Sequence, residues 1–176
     1  MPVVHLARTT GAADDALLAL AHAVTGVEDL RLTRACPRCG ADRHGRPVLR
    51  GVEGVSVSLS RPRTPGPALV ALCADAGVGV DVENTGAATF DGFDAVALHP
   101  QERCADDDAR TRLWVRKEAL LKAHGTGLIT DPREVWLGED GQVVAGPAGT
   151  LVDLGLDDQI GAVAVTPPGP LHVRWH

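Results

Sequence analysis

Lysine is nearly missing from this sequence: Lys117 and Lys122 stand against fifteen arginines in 176 positions, and tyrosine is absent. With alanine and glycine abundant, these shortages point to a coding bias that replaces lysine wherever only a positive charge is needed. The two survivors then mark places where a compact, titratable ammonium does what a planar, permanently charged guanidinium cannot. No window approaches twenty consecutive apolar residues, which argues against a membrane-spanning helix. The opening "MPVVHLARTTGAADDALL" lacks the charged, apolar and cleavage regions of a secretory signal, so the expected compartment is the cytoplasm. Neither a Gly-x-x-x-x-Gly-Lys loop nor a Gly-x-Ser-x-Gly elbow occurs, which argues against a P-loop nucleotidase and an α/β-hydrolase.

What remains is an ordinary globular composition, 44% hydrophobic, with a net charge of −6. The charge is unevenly spread. Between Arg31 and Arg63 eight arginines face Asp42 and Glu53, a net of +6 inside an otherwise acidic chain. That pattern suits a local site for phosphates or an acidic partner, or else a solvated stretch, and does not suit a nucleic-acid binder built on global charge. The four cysteines, Cys36, Cys39, Cys73 and Cys104, read as reduced thiols in a cytosolic chain. Cys36-x-x-Cys39 with His44 nearby invites a zinc reading, although a structural site wants four ligands and the next cysteines are single and distant. The same residues could simply shape a turn.

Residues 3 to 7 read as a strand and 13 to 24 as a helix with apolar positions at 16, 17, 20, 21 and 24. A turn-rich connector spans 34 to 49, followed by strand runs "GVSVSL", "PALVALCA" and "GVGVDVE", with "RPRTPGP" (61 to 67) an exposed loop between the first two. The second half repeats the order: a short and a longer helix within 99 to 125, ended by Gly125 and Gly127, then strands at "EVWL", "QVVA", "TLVDL", "IGAVAVT" and "LHVRW". This layout predicts an α+β fold of two similar subdomains, residues 1–84 and 85–176, each a helix packed on a small antiparallel sheet, with a site where they meet.

In "VGVDVEN" the strand period puts Val78, Val80 and Val82 on one side and Gly79, Asp81 and Glu83 on the other. Two carboxylates two apart on one face repel unless solvent or a cation intervenes, and Mg²⁺ takes one or two carboxylates while leaving room for water and phosphate. On the longer helix Glu118 and Lys122 lie one turn apart on one face, with Trp114 a turn earlier on the same stripe. This is either a solvated ion pair or, with the Asp-x-Glu strand, the set of parts for metal-assisted phosphoryl transfer.

The two segments together resemble the Sfp-type 4′-phosphopantetheinyl transferases. That family pairs Gly-(Ile/Val)-Asp-(Ile/Val)-Glu, here Gly79 to Glu83, with Trp-x-x-Lys-Glu-x-x-x-Lys, here Trp114 to Lys122. "CPRCGADRHGRPVL" resembles the family segment ending in Gly-(Lys/Arg)-Pro, whose basic position, Arg46, would contact a coenzyme A phosphate. "VSVSLS" resembles Asn-x-Ser-His-Ser, with Ser58 and Ser60 matching the two serines and Ser58 implied as a cofactor contact. The resemblance implies transfer of the phosphopantetheine arm of coenzyme A to a serine of an acyl or peptidyl carrier protein. Asp81, Glu83 and Glu118 would hold Mg²⁺, Glu118 would assist deprotonation of the serine, Lys122 would stabilise the departing charge, and Lys117 would meet a coenzyme A phosphate. The protein is expected to act as a monomer, with no nucleic-acid or membrane partner.

Three departures bear on coenzyme A binding. Leu59 replaces the histidine of Ser-His-Ser, "RPRTPGP" resembles an insertion, and only Arg8 supplies a cation ahead of residue 31. They motivate an alternative, a weakened or inactive relative that still binds coenzyme A or a carrier protein.

Overall fold

The computed structural model describes residues 1–88 and 90–176. It is a mixed α+β structure with few helices and several small sheets. The chain begins with strand β1 (Val3–Thr9) and helix α1 (Ala13–Thr25), then a hairpin of β2 (Arg31–Ala35) and β3 (Arg46–Arg50). Strands β4 (Val55–Ser60), β5 (Ala68–Ala74) and β6 (Gly77–Asn84) complete the first half. Helices α2 (Phe93–Ala97) and α3 (Asp107–Ala123) follow. The chain ends with β7 (Trp136–Leu137), β8 (Val143–Ala145), β9 (Thr150–Leu154), β10 (Gln159–Thr166) and β11 (His172–Trp175).

One sheet has the order β11-β1-β5-β4, a second β6-β10-β9, and β2-β3 and β7-β8 form separate ribbons. The halves interleave: β6 ladders antiparallel with β10, while β11 returns to pair in parallel with β1. Each side of residue 84 therefore lends a strand to the other's sheet.

Period-two alternation explains the layering. In β5, Leu69, Ala71 and Cys73 face β6 and β10, and Ala68, Val70 and Leu72 face α1. A strand buried on both faces has no polar side to show, hence "ALVALCA". Val78, Val80 and Val82 of β6 join the inter-sheet core, as the alternation predicts. Helix α3 lays Val115, Ala119, Leu120 and Leu121 on Ala162 and Ala164 of β10. Asp106 caps its N-terminus by accepting from Ala109 N–H at 2.8 Å, and Gly125, in the left-handed region at φ 73°, follows its end.

Two sequence expectations need correction. Residues 34 to 49, expected as a connector, contribute to the β2–β3 hairpin, whose alternation is masked by Arg31, Arg34, Arg46 and Arg50 and by Pro47. The short helix lies at Phe93–Ala97, before the expected window of 99 to 125. The turns after it are held instead by Glu102, which accepts from the backbone N–H of His99 at 2.8 Å and of Leu137 at 2.9 Å.

The two sheets are joined along β4 and β6 by side chains. Ser56, Ser58 and Ser60 accept from the N–H groups of Val78, Val80 and Val82 at 3.0, 3.1 and 3.3 Å. These hydroxyls satisfy the edge of β6 that faces away from β10, where unpaired buried donors would be costly. The alternating serines of "VSVSLS" thus serve a buried seam.

Candidate active site

The close approach of α3 to β6 creates the site. A β-carbon on Gly79 would collide with the carbonyl of Ala119, and one on Gly77 with that of Ala123, so the helix rests directly on glycine backbone. Glu118 and Lys122 then reach the carboxylate side of the strand. Lys122 Nζ donates to Asp81 Oδ1 at 2.6 Å and to the Val80 carbonyl at 3.3 Å, and lies 3.8 Å from Glu118. Ser60 Oγ donates to the same Asp81 oxygen at 2.6 Å. The other, Asp81 Oδ2, is buried with no hydrogen-bond partner.

Glu83 is supported from the 61–67 loop: it accepts from Arg63 N at 2.9 Å and from Arg63 Nε at 3.4 Å. The Arg63 guanidinium also lies 5.1 Å from the ring centre of Phe90 and 5.9 Å from that of Trp114. This aromatic wall gives Trp114, on the Glu118 stripe, a definite task. The hold of Arg63 on Glu83 depends on how the proline-rich loop folds back, which spacing does not encode.

Three carboxylates and two cations leave one excess negative charge in a buried cluster. Asp81 and Glu83 are 4% and 5% exposed, so a surplus charge here is expensive. Glu118 absorbs the imbalance: burial, then repulsion from Asp81 and Glu83, push its carboxyl up to about 7 against the pull of Lys122 and Arg63. For Lys122 burial opposes the charge, but Asp81, Glu118 and Glu83 outweigh it and raise its pKa. Lys122 is thus a permanent ammonium, and Glu118 is poised to exchange its proton near neutrality.

Carboxylate oxygens are the donors a hard divalent cation takes, and Asp81, Glu83 and Glu118 offer them from β6 and α3. The orphaned, buried Asp81 Oδ2 is the specific observation that suits Mg²⁺; the oxygens of Asp81, Glu83 and Glu118 are not gathered within 4.8 Å of one another.

Lys122 also lines a cleft of about 970 Å³ between α3 and the β2–β3 hairpin, together with Arg34, Arg38, Arg46, Arg61 and Ser58. Four arginines of the +6 segment therefore converge on one cavity. Arg46 lies against Gly125, where any side chain would displace its guanidinium. Arg34 is anchored on Asp14 at 2.6 Å while its buried Nη1 finds no partner. Ser58 accepts from Val80 N–H and keeps its own O–H to donate.

Lys117 is not brought to this cleft. It is 1% exposed, on another side of α3, and donates to Glu102 at 2.6 Å and to the carbonyls of Ala97 and Pro132 at 2.7 and 3.0 Å. All three protons of the ammonium are used, tying α3 to the segments on either side of it. Burial pushes its pKa down, against the opposing attraction of Glu102. A helical spacing of five residues from Lys122 already turned it away; its partner Glu102, fifteen residues upstream across a turn, carried no sequence signal.

Residues 77–143 match the sequence model of the 4′-phosphopantetheinyl transferase superfamily, a span running from β6 through α3 into β8. It contains Asp81, Glu83, Glu118 and Lys122, and ends before β9 to β11. No curated protein matches the chain. Among the described residues, no helix is long and apolar enough to cross a membrane.

Proposed function

We propose that this protein is an Sfp-type 4′-phosphopantetheinyl transferase, moving the phosphopantetheine arm of coenzyme A to a serine of an acyl or peptidyl carrier protein. The observation that carries this reading is Lys122, shared by the carboxylate cluster and the arginine-lined cleft. A phosphate-rich substrate in the cleft would present its pyrophosphate to Lys122 and the acids beyond it. The superfamily match over 77–143 supports the same class of chemistry.

Coenzyme A is held by charge. Arg34, Arg38, Arg46 and Arg61 offer forked donors to its phosphates, and Ser58 an O–H. Asp81, Glu83 and Glu118 would hold Mg²⁺, which when bound would supply neutralisation of the pyrophosphate. Glu118, on the face of α3 toward Asp81 and Lys122, takes the proton from the incoming serine hydroxyl. The serine oxygen forms a bond to the phosphorus carrying the pantetheine arm, and the bond to the departing adenosine 3′,5′-bisphosphate breaks. Lys122 faces the charge that appears on the leaving oxygen; its raised pKa keeps the ammonium intact, so its contribution is electrostatic.

The test is incubation with Mg²⁺, coenzyme A and several apo carrier proteins, read by intact mass. A phosphopantetheine adduct on the carrier serine is expected. Coenzyme A binding with no adduct on any carrier would overturn the reading. That outcome favours the second one, a non-catalytic binding relative, whose supporting observation is the Arg63 side chain seated on Glu83.

A further inference from the structure

The tip of the β2–β3 hairpin, at one wall of the cleft, carries a cluster that the transfer chemistry above does not use. Ligand atoms of Cys36, Cys39 and His44 all lie within 4.8 Å of one another, and Cys39 Sγ is 3.3 Å from His44 Nε2. A tetrahedral zinc centre needs roughly 3.8 Å between sulfurs and 3.6 Å from sulfur to nitrogen, given Zn–S near 2.3 Å and Zn–N near 2.0 Å. The three side chains are therefore already spaced for one ion.

The backbone is built for the same purpose. Gly40 N–H donates to the Cys36 carbonyl at 2.9 Å and Cys36 N–H to the Ala41 carbonyl at 2.9 Å, closing a tight Cys-Pro-Arg-Cys-Gly turn. Gly40 takes φ +70°, and Gly45 takes φ +99° pressed against the backbone of Ala35 and Cys36. A side chain at 45 would have no room, so the chain after His44 can return beside Cys36 only as glycine. Charge agrees: two thiolates and one Zn²⁺ cancel, giving a neutral centre among Arg34, Arg38, Arg43 and Arg46.

We infer that Cys36, Cys39 and His44 bind one zinc ion, with water in the fourth position, and that this ion pins the hairpin tip forming one wall of the cleft. Cys36, Arg38 and Arg46 all line that cleft, so the ion would fix arginines that otherwise sit on a loop with little core of its own. Cys73 is buried elsewhere and Cys104 lies beyond α2; neither joins the cluster.

The full-length protein, expressed in zinc-supplemented medium and gel-filtered without chelator, is expected to retain about one zinc per chain by elemental mass spectrometry. Cys36→Ser/Cys39→Ser and His44→Ala should each lose it while keeping wild-type far-ultraviolet dichroism, since the tip lies outside the cores. Glu118→Gln should keep it, which separates this ion from any held by the carboxylates. Cobalt substitution should give thiolate charge-transfer bands absent from the double-cysteine variant. Removing zinc should loosen the tip around the exposed Arg38 and Arg43, with tryptic cleavage there faster by on the order of tenfold. The inference is overturned by less than about a tenth of an equivalent of zinc, by a Cys36–Cys39 disulfide in the intact mass of freshly purified protein, or by zinc that survives loss of both cysteines. None of these readouts depends on transferase activity.

Discussion

Glu118→Gln probes the charge balance of the carboxylate cluster. The Glu118 carboxyl is raised from 4.5 to about 7, chiefly by burial. The folded chain therefore holds this proton more tightly than the unfolded chain. The associated stability is fully present below about pH 4.5, declines as pH rises, and is gone once pH passes about 7. Moving a carboxyl across that interval corresponds to about 3 kcal/mol. Glutamine has no proton to lose and leaves the other charges balanced, but forfeits the attraction of Lys122 at 3.8 Å. The expected net gain for metal-free Glu118→Gln at pH 8 is about 2 kcal/mol, shrinking toward zero or reversing at pH 5. Urea denaturation in chelator at the two pH values measures it. Adding Mg²⁺ should reverse the order: the parent gains stability because the cation replaces the proton, the variant does not, and transfer to a carrier is lost. An equal stability difference at both pH values would show that Glu118 titrates normally and refute the charge-balance reasoning. A variant that keeps both the Mg²⁺ response and transfer would remove Glu118 from the metal and base roles.

Lys122→Met leaves Asp81 buried without its cation and should cost about 3 kcal/mol in urea denaturation. It should also slow transfer by on the order of a hundredfold while tightening Mg²⁺, since a competing positive charge is gone; magnesium titration against stability reads the second effect. Lys117→Arg should destabilise by about 2 kcal/mol, because the larger guanidinium has no space among Ala97, Glu102 and Pro132, yet leave the coenzyme A dissociation constant within about twofold. Gly79→Ala drives a methyl into the Ala119 carbonyl and should lower stability by about 3 kcal/mol, with transfer falling further than stability alone explains because Glu118 and Lys122 are pushed off the strand.

The contrast between the two lysines shows what a sequence can and cannot carry. The carboxylate site was legible because its spacing is local: a period of two sets Asp81 and Glu83 on one face, and a helical turn sets Glu118 above Lys122. The glycines at 77 and 79 then bring the two elements together, and the valines opposite them bury the strand. Nothing local encodes a partner chosen by a loop. Arg63 reaches Glu83 only because the proline-rich turn folds back, Glu102 reaches Lys117 only because the turn after α2 does, and the β2–β3 pairing is hidden by arginines that serve the cleft. The scarcity of lysine was read as chemistry at phosphates in both positions, and it has two different physical sources. Lys122 supplies a permanent compact charge between two acids and a cleft. Lys117 fills a cavity in which exactly three acceptors meet three protons, a geometry that a flat guanidinium with five cannot satisfy. The same compositional signal therefore marks a lysine of the proposed site and a structural pin, and only the direction each side chain takes from α3 distinguishes them.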